Sequence, residues 1–310
     1  MQKFNGFEWQ PPQVVTLVPD IGTINYQLGR EINTGLRRSL KQDEGRLLWL
    51  TDETPVEGSD SLDTVVFDVE PRWASGRKDS VQGVFFGRLA LSDVIETPVA
   101  VKPFLTAFNA GAHEAAMLLS LEARGLRAYR LLGMGWTPEQ GFVNVTAFEE
   151  ESRSLDNVDW KKGLSHPLGK HLTNLEAIEQ MGQSLGLMHG NGIIHNDAQV
   201  KNFAVNGPEV VLIDLVQARS MVKEDGYVDE VTLQEGMYKD LRSVLQSLRK
   251  RGFLRDAGAS EWGSFFSNVV APAYRSGLFL AEGVIKDKGV PLEDIVAQTV
   301  RDVHSVFESE

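Results

Sequence analysis

Residues 193–218 read IIHNDAQVKNFAVNGPEVVLIDLVQA, and the reading of this stretch decides the fold. Two apolar runs, Phe203–Val205 and Val210–Ile213, flank Asn206-Gly207, and Asn-Gly between such runs is a strong short-range hairpin signal. Facing positions of an antiparallel pair have nearly constant summed numbers, so folding about this turn sets Asn202 roughly opposite Asp214. Side chains so placed approach one another across the strands. One neutral amide oxygen and one carboxylate converging there make a hard-cation site, suited to magnesium held together with substrate phosphates. Asp197 stands just before the hairpin, where a carboxylate accepts a hydroxyl proton.

The pattern His195-x-Asp197-x4-Asn202, followed by an apolar strand ending in Asp214, resembles the catalytic loop and metal-binding Asp of the protein kinase superfamily. The family pattern is H-R-D-x-x-x-x-N followed by D-F-G. Here Asn196 replaces the Arg, Leu215-Val216 replaces Phe-Gly, and no A-P-E follows. These departures look like the atypical and small-molecule branches, RIO-type kinases and aminoglycoside-phosphotransferase-like enzymes. The phrase IDLVQA, with Gln217 three residues after the Asp, is especially RIO-like. The resemblance covers roughly residues 62 to 250, and its catalytic segment is the specific part.

The resemblance implies an α+β, bilobal kinase-like fold. Residues 61–150 are the expected small β-rich N-lobe and 151–310 the mainly helical C-lobe, with 1–60 an N-terminal extension. It implies ATP and Mg2+ as cofactors. Asp197 is then the base that orients and deprotonates an acceptor hydroxyl, Asn202 and Asp214 hold the metal, and Lys201 neutralises charge on the transferring phosphoryl. Lys102 contacts nucleotide phosphates, with Glu114 as its ion-pair partner; Glu122 and Glu96 are rivals for that place. Ala147, Phe148 and Glu149, in the segment running to Glu150, meet the adenine ring through main-chain atoms. Asp240 braces the backbone of the catalytic loop, and His195 shapes the loop by hydrogen-bonding near the metal-binding segment.

Supporting elements are legible on both sides. Pro98–Pro103 reads as a short buried strand carrying Lys102, whose ammonium needs a partner there. Ala112–Arg124 reads as a helix with Leu118 and Leu121 inward and Gly125 at its end. Thr173 and Glu176 predict a capping box, followed by Leu175, Ile178, Met181, Leu185 and Met188 at helical spacing. Gly190 is the expected stop, with a turn at Asn191-Gly192. Gly141–Ala147 reads as an apolar strand and Tyr238–Leu248 as a helix. A phosphate-covering loop is weakly written: strands Thr64–Val69 and Gly83–Leu91 are joined by Ala74–Asp79, whose amides near Ser75 and Gly76 are the candidates. Residues 219–237 leave no room for a long activation segment. Asn25–Lys41 is a basic helical candidate, Arg46–Thr51 is strand-like, and Pro291–Phe307 is amphipathic.

Composition agrees with an enzyme of ordinary make-up. The chain has 310 residues, 42% hydrophobic and 24% charged, and no cysteine, which excludes disulfides and thiolate metal sites. No apolar run approaches a membrane span and the start carries no signal-peptide core, so no membrane partner is expected, and a need for ATP favours the cytoplasm. A net charge of −12 argues against nucleic-acid binding and mildly favours a cationic partner. His113-Glu114 begins like the zinc motif H-E-x-x-H, but Met117 stands where the second His belongs. The expected activity is phosphoryl transfer from ATP to a hydroxyl, first of a protein Ser or Thr. Gln199 in place of the Lys of serine/threonine kinases leaves the acceptor open. A small-molecule kinase, or a pseudokinase that only binds nucleotide, is the alternative.

Overall fold

The computed structural model describes residues 108–137, 141–147, 152–222 and 227–281. It also describes strand segments at 3–4, 7–8, 46–49, 65–68, 84–90 and 96–104 and a few positions between 291 and 301. The architecture is α+β, with antiparallel sheets and separate helices. The chain divides into two compact units, 1–123 with 129–150, and 124–128 with 151–310.

The first unit is built on a six-stranded sheet. Its strands are β1 (Arg46–Trp49), β2 (Val65–Asp68), β3 (Phe85–Ala90), β4 (Glu96–Phe104), β5 (Leu131–Thr137) and β6 (Gly141–Ala147). They lie in the order β1-β5-β6-β4-β3-β2, every pair antiparallel. Helix α1 (Phe108–Ala123) packs on β4, β5 and β6. It starts four residues before the helix expected from the apolar spacing. Its residues Ala112, Ala115, Ala116, Leu118 and Leu121 are buried, as are Val99, Met134 and Val145 on the strands that it packs on. Gly125, at φ +66°, follows the helix in the left-handed conformation that ends helices. The proposed phosphate loop with Ser75 and Gly76, Phe148–Glu150 after β6, and the candidate helix Asn25–Lys41 lie outside the described residues.

The second unit is held by two helices crossing closely. Helix α2 (Asn174–Gly190) starts at Thr173, whose hydroxyl accepts from the Glu176 N–H at 3.3 Å while the Thr173 N–H donates to Glu176 Oε2 at 2.7 Å. Helix α3 (Glu230–Lys250) starts at Asp229, whose carboxylate accepts from the Thr232 N–H. Helix α4 (Ala259–Phe265) runs through a wide π-turn, Phe266–Val270, into α5 (Ala271–Leu280). Gly182, Gly186 and Gly190 recur every fourth residue of α2, on the face that meets α5. A methyl on Gly186 would lie 2.0 Å from the Tyr274 carbonyl oxygen, and one on Gly277 2.0 Å from that of Gln183. Only hydrogen fits there, so the two backbones touch. The helix ends at Gly190 and turns at Asn191-Gly192, as expected, but Gly190 is itself helical and packed against Leu278 and Ala281, and the left-handed residue of the exit is Gly192, at φ +69°.

After α2, β8 (Ile193–Ile194) pairs with β11 (Arg219–Ser220), and between them lies the hairpin β9 (Phe203–Asn206) and β10 (Glu209–Leu212). A short strand β7 (Arg153–Ser154) adds to the outer edge of β9. Gly207 takes φ +60° in the turn, as the Asn-Gly pair requires. Among the described residues no helix is long and apolar enough to cross a membrane. Pro291–Phe307 lies almost wholly outside them.

Candidate functional site

The hairpin register is offset by one from the sequence reading. Phe203 faces Leu212, so Asn202 faces Ile213, whose N–H donates to the Asn202 carbonyl at 2.9 Å. Asp214 is one residue farther on, where the backbone leaves the strand at φ 58° and ψ 62°. An L-residue in the left-handed region turns its side chain away from the strand's alternation. That one-residue offset therefore does not by itself send Asp214 to the opposite face. Asn196 is also left-handed, at φ 62°, a conformation that Asn tolerates better than most residues. Its amide donates to the Gln217 carbonyl at 2.9 Å, which ties the segment before Asp197 to the segment after Asp214. Strained backbone that flanks a polar cluster on both sides is a mark of a functional site.

Asp197 is the hub of this segment. Asn202 Nδ2 donates to the Asp197 carbonyl at 2.7 Å and to its Oδ2 at 2.9 Å. Lys201 Nζ stands 3.3 Å from the same Oδ2, and Gln199 Nε2 donates to Oδ1 at 2.6 Å. With its NH2 spent on Asp197, the Asn202 side chain has its Oδ1 left for a cation. Asn202 Oδ1 and the Asp214 carboxylate are the hard oxygen donors that magnesium takes. Among the described residues no three His, Cys, Asp or Glu form a metal cluster. A cation here would take much of its coordination from a ligand's phosphates, as magnesium commonly does.

Helix α3 anchors the loop at two points two turns apart. Asp240, 1% exposed, accepts the His195 N–H on Oδ2 at 2.7 Å. Ser247 accepts the Val200 N–H at 2.9 Å. Ser247 was not anticipated, although its seven-residue spacing from Asp240 puts both on one face of the helix. The His195 ring corrects an expectation. It is fully buried, and among the described residues neither ring nitrogen has a hydrogen-bond partner. The ring lies beside Phe203, with centroids 6.4 Å apart.

In the other unit, Lys102 on β4 sits 2.7 Å from Glu114 Oε1 on α1. Glu122 faces Arg130 at 3.6 Å; burial raises its pKa, partly offset by that arginine. Asn144, in register with Lys102 on β6, donates to Glu114 Oε2 at 3.3 Å and to the Gly111 carbonyl at 3.1 Å. Asn144 was missed by sequence reasoning; the strand register would have exposed it as the residue facing Lys102. The Ala147 N–H donates to the Arg130 carbonyl at 2.9 Å. That amide is thus committed within the protein, which removes it as a donor to a base.

No family model and no curated protein matches the chain. Among solved structures, one of WaaP in complex with acyl carrier protein is similar to it, at 17% identity over 79% of this chain and 89% of that chain, with a TM-score of 0.40.

Proposed function

We propose that the chain is an ATP- and magnesium-dependent phosphotransferase acting on a hydroxyl. The observation that carries this reading is the convergence of Asn202, Lys201 and Gln199 on the Asp197 carboxylate, with Asp214 one residue past the strand partner of Asn202. Phosphoryl transfer asks a protein mainly for positioning and charge stabilisation. Asp197 Oδ2 is held by Asn202 and Lys201, while Oδ1 carries Gln199. An acceptor hydroxyl that displaces Gln199 gives its proton to Oδ1. Lys201 offsets negative charge on the moving phosphoryl. Asn202 and Asp214 would hold magnesium, which when bound neutralises and orients the phosphates. Lys102, kept in place by Glu114, is assigned to the nucleotide phosphates. A protein Ser or Thr is the first acceptor considered. A small hydroxyl compound of cationic character is the second, favoured by the short run between Asp214 and Glu230, closed by the Val222–Val228 bridge.

Incubation with γ-labelled ATP and magnesium tests the reading. Asp197→Ala and Asp214→Ala should each slow turnover at least about a hundredfold. Asp214→Ala should also weaken magnesium-dependent nucleotide binding, and Asp197→Ala should leave that binding nearly intact. Labelled protein would identify the first acceptor class, and turnover raised by an aminated metabolite without labelled protein the second. Equal rates in parent and both variants would end the assignment; nucleotide binding without any turnover would mark a binding protein instead.

A further inference from the structure

A line of buried polar groups runs from α5 to the loop that carries Asp197. The Tyr274 hydroxyl lies 2.7 Å from His189 Nδ1, and His189 Nε2 lies 3.1 Å from Asp240 Oδ2. The same Oδ2 accepts the His195 N–H. Tyr274, His189 and His195 are fully buried and Asp240 is 1% exposed. The closeness of Tyr274 follows from Gly186 and Gly277, which let α5 touch α2.

Counting hydrogens leaves one arrangement. Burial and the Asp240 charge hold the Tyr274 phenol well above its ordinary pKa of 10, so it keeps its proton. Its hydrogen-bond partner is His189 Nδ1. Were Nδ1 protonated, the phenolic hydrogen would have no acceptor there, and a buried donor left unused is costly. An unprotonated Nε2 would set a lone pair against a carboxylate oxygen. Both conflicts vanish when Nδ1 accepts from Tyr274 and Nε2–H donates to Asp240. Among the described residues Asp240 Oδ1 has no partner, so this carboxylate relies on Oδ2 and its two donors.

We propose that Tyr274 is a positioning residue for the Asp197 loop: its hydroxyl selects the Nε2–H tautomer of His189, which orients Asp240 to hold the His195 backbone. Tyr274 touches no reacting atom. Its effect on turnover rests on the phosphotransfer reading, whereas its effect on the tautomer and the loop backbone does not.

The test uses the full chain labelled with 15N-histidine, with the His189 signals identified by their loss in His189→Gln. Long-range 1H–15N spectra of the parent should show His189 as the Nε2–H tautomer. In Tyr274→Phe a mixture of tautomers should appear, and exchange of the His195 amide should speed up about five- to tenfold, the loss expected for one neutral hydrogen bond. An Nδ1–H tautomer in the parent overturns the proposal, and that spectrum decides even if the variant fails to fold. So does a Tyr274→Phe variant with unchanged tautomer and unchanged exchange. In the turnover arm, kcat should fall with the KM for ATP held. A parent that turns over no ATP counts against phosphotransfer alone, since the spectra still decide the role of Tyr274.

Discussion

Replacing Gly186 by Ala should break the contact on which the second unit is built. The added methyl would sit 2.0 Å from the Tyr274 carbonyl oxygen and 2.9 Å from the Leu278 nitrogen. Such carbons essentially never come closer than 3.0 Å to another heavy atom, so the helices must part by at least 3.0 − 2.0 = 1.0 Å. Both obstacles are backbone and cannot rotate aside. Overpacking costs about 1–3 kcal/mol and occasionally more, and the upper end applies. Alanine recovers up to about 1 kcal/mol through its helix preference. The net loss is about 2 kcal/mol. Gly182, one turn earlier, is the internal control: its methyl would lie 3.3 Å from the Val270 oxygen, a crowding of a few tenths of an ångström that the helix preference offsets. That variant should stay within about 0.5 kcal/mol of the parent. Urea unfolding, followed by the fluorescence of buried Trp160 and Trp262, reads both. With a slope of about 2 kcal/mol per molar, Gly186→Ala should lower the midpoint by about 1 M. Equal midpoints for the two variants would refute the close-crossing argument.

Other consequences are open to direct measurement. Lys102→Met should cost about 3 kcal/mol by stripping a buried carboxylate of its cation, and Glu114→Gln in the same chain should restore most of it; a double variant no better than the single would show that charge is not the reason. Thr173→Ala removes the cap of α2 and should cost about 1 kcal/mol by the same unfolding measurement, with no change meaning that the cap is unimportant. The raised pKa of Tyr274 makes a pH prediction. Its folded value lies above an unfolded value near 10, so the native state keeps a proton that the unfolded chain loses. The stability concerned is complete below about pH 10 and falls above it by up to about 1.4 kcal/mol per pH unit. Tyr274→Phe should decline less steeply than the parent above pH 10, and parallel declines would contradict the buried phenol.

Much of the catalytic segment was readable because its signals are local. Asn206-Gly207 takes a turn that few other pairs adopt, and Thr173 with Glu176 satisfies helix-end amides from within three residues. The strand at 141–147 follows the same logic of period, whereas the strand read at 98–103 extends over 96–104 and the helix read from Tyr238 starts eight residues earlier, at Glu230, behind an unread Asp229 cap. Errors arose where a distant element set the outcome. Gly190 does end α2, but what requires it to lack a side chain is the approach of α5, more than eighty residues away. His195 is expected to hydrogen-bond through its ring, but the folded chain sets that ring beside Phe203 and leaves both nitrogens without a partner among the described residues. The register of Asn202 against Ile213 rather than Asp214 depends on the turn geometry to the nearest residue, finer than a pattern of apolar runs specifies.

Taken alone, the residues of 193–218 determined a tight hairpin with an amide, a carboxylate and a second acid at set intervals, because covalent spacing and turn chemistry act over a few positions. The partners of those groups were decided by folding. Asn144 opposite Lys102, Ser247 beneath Val200, and Tyr274 behind His189 are brought in by strand register and by a glycine-lined helix crossing. Desolvation favours such partners, since a buried donor or charge left unanswered is costly, and chain distance carries no record of which residue answers it.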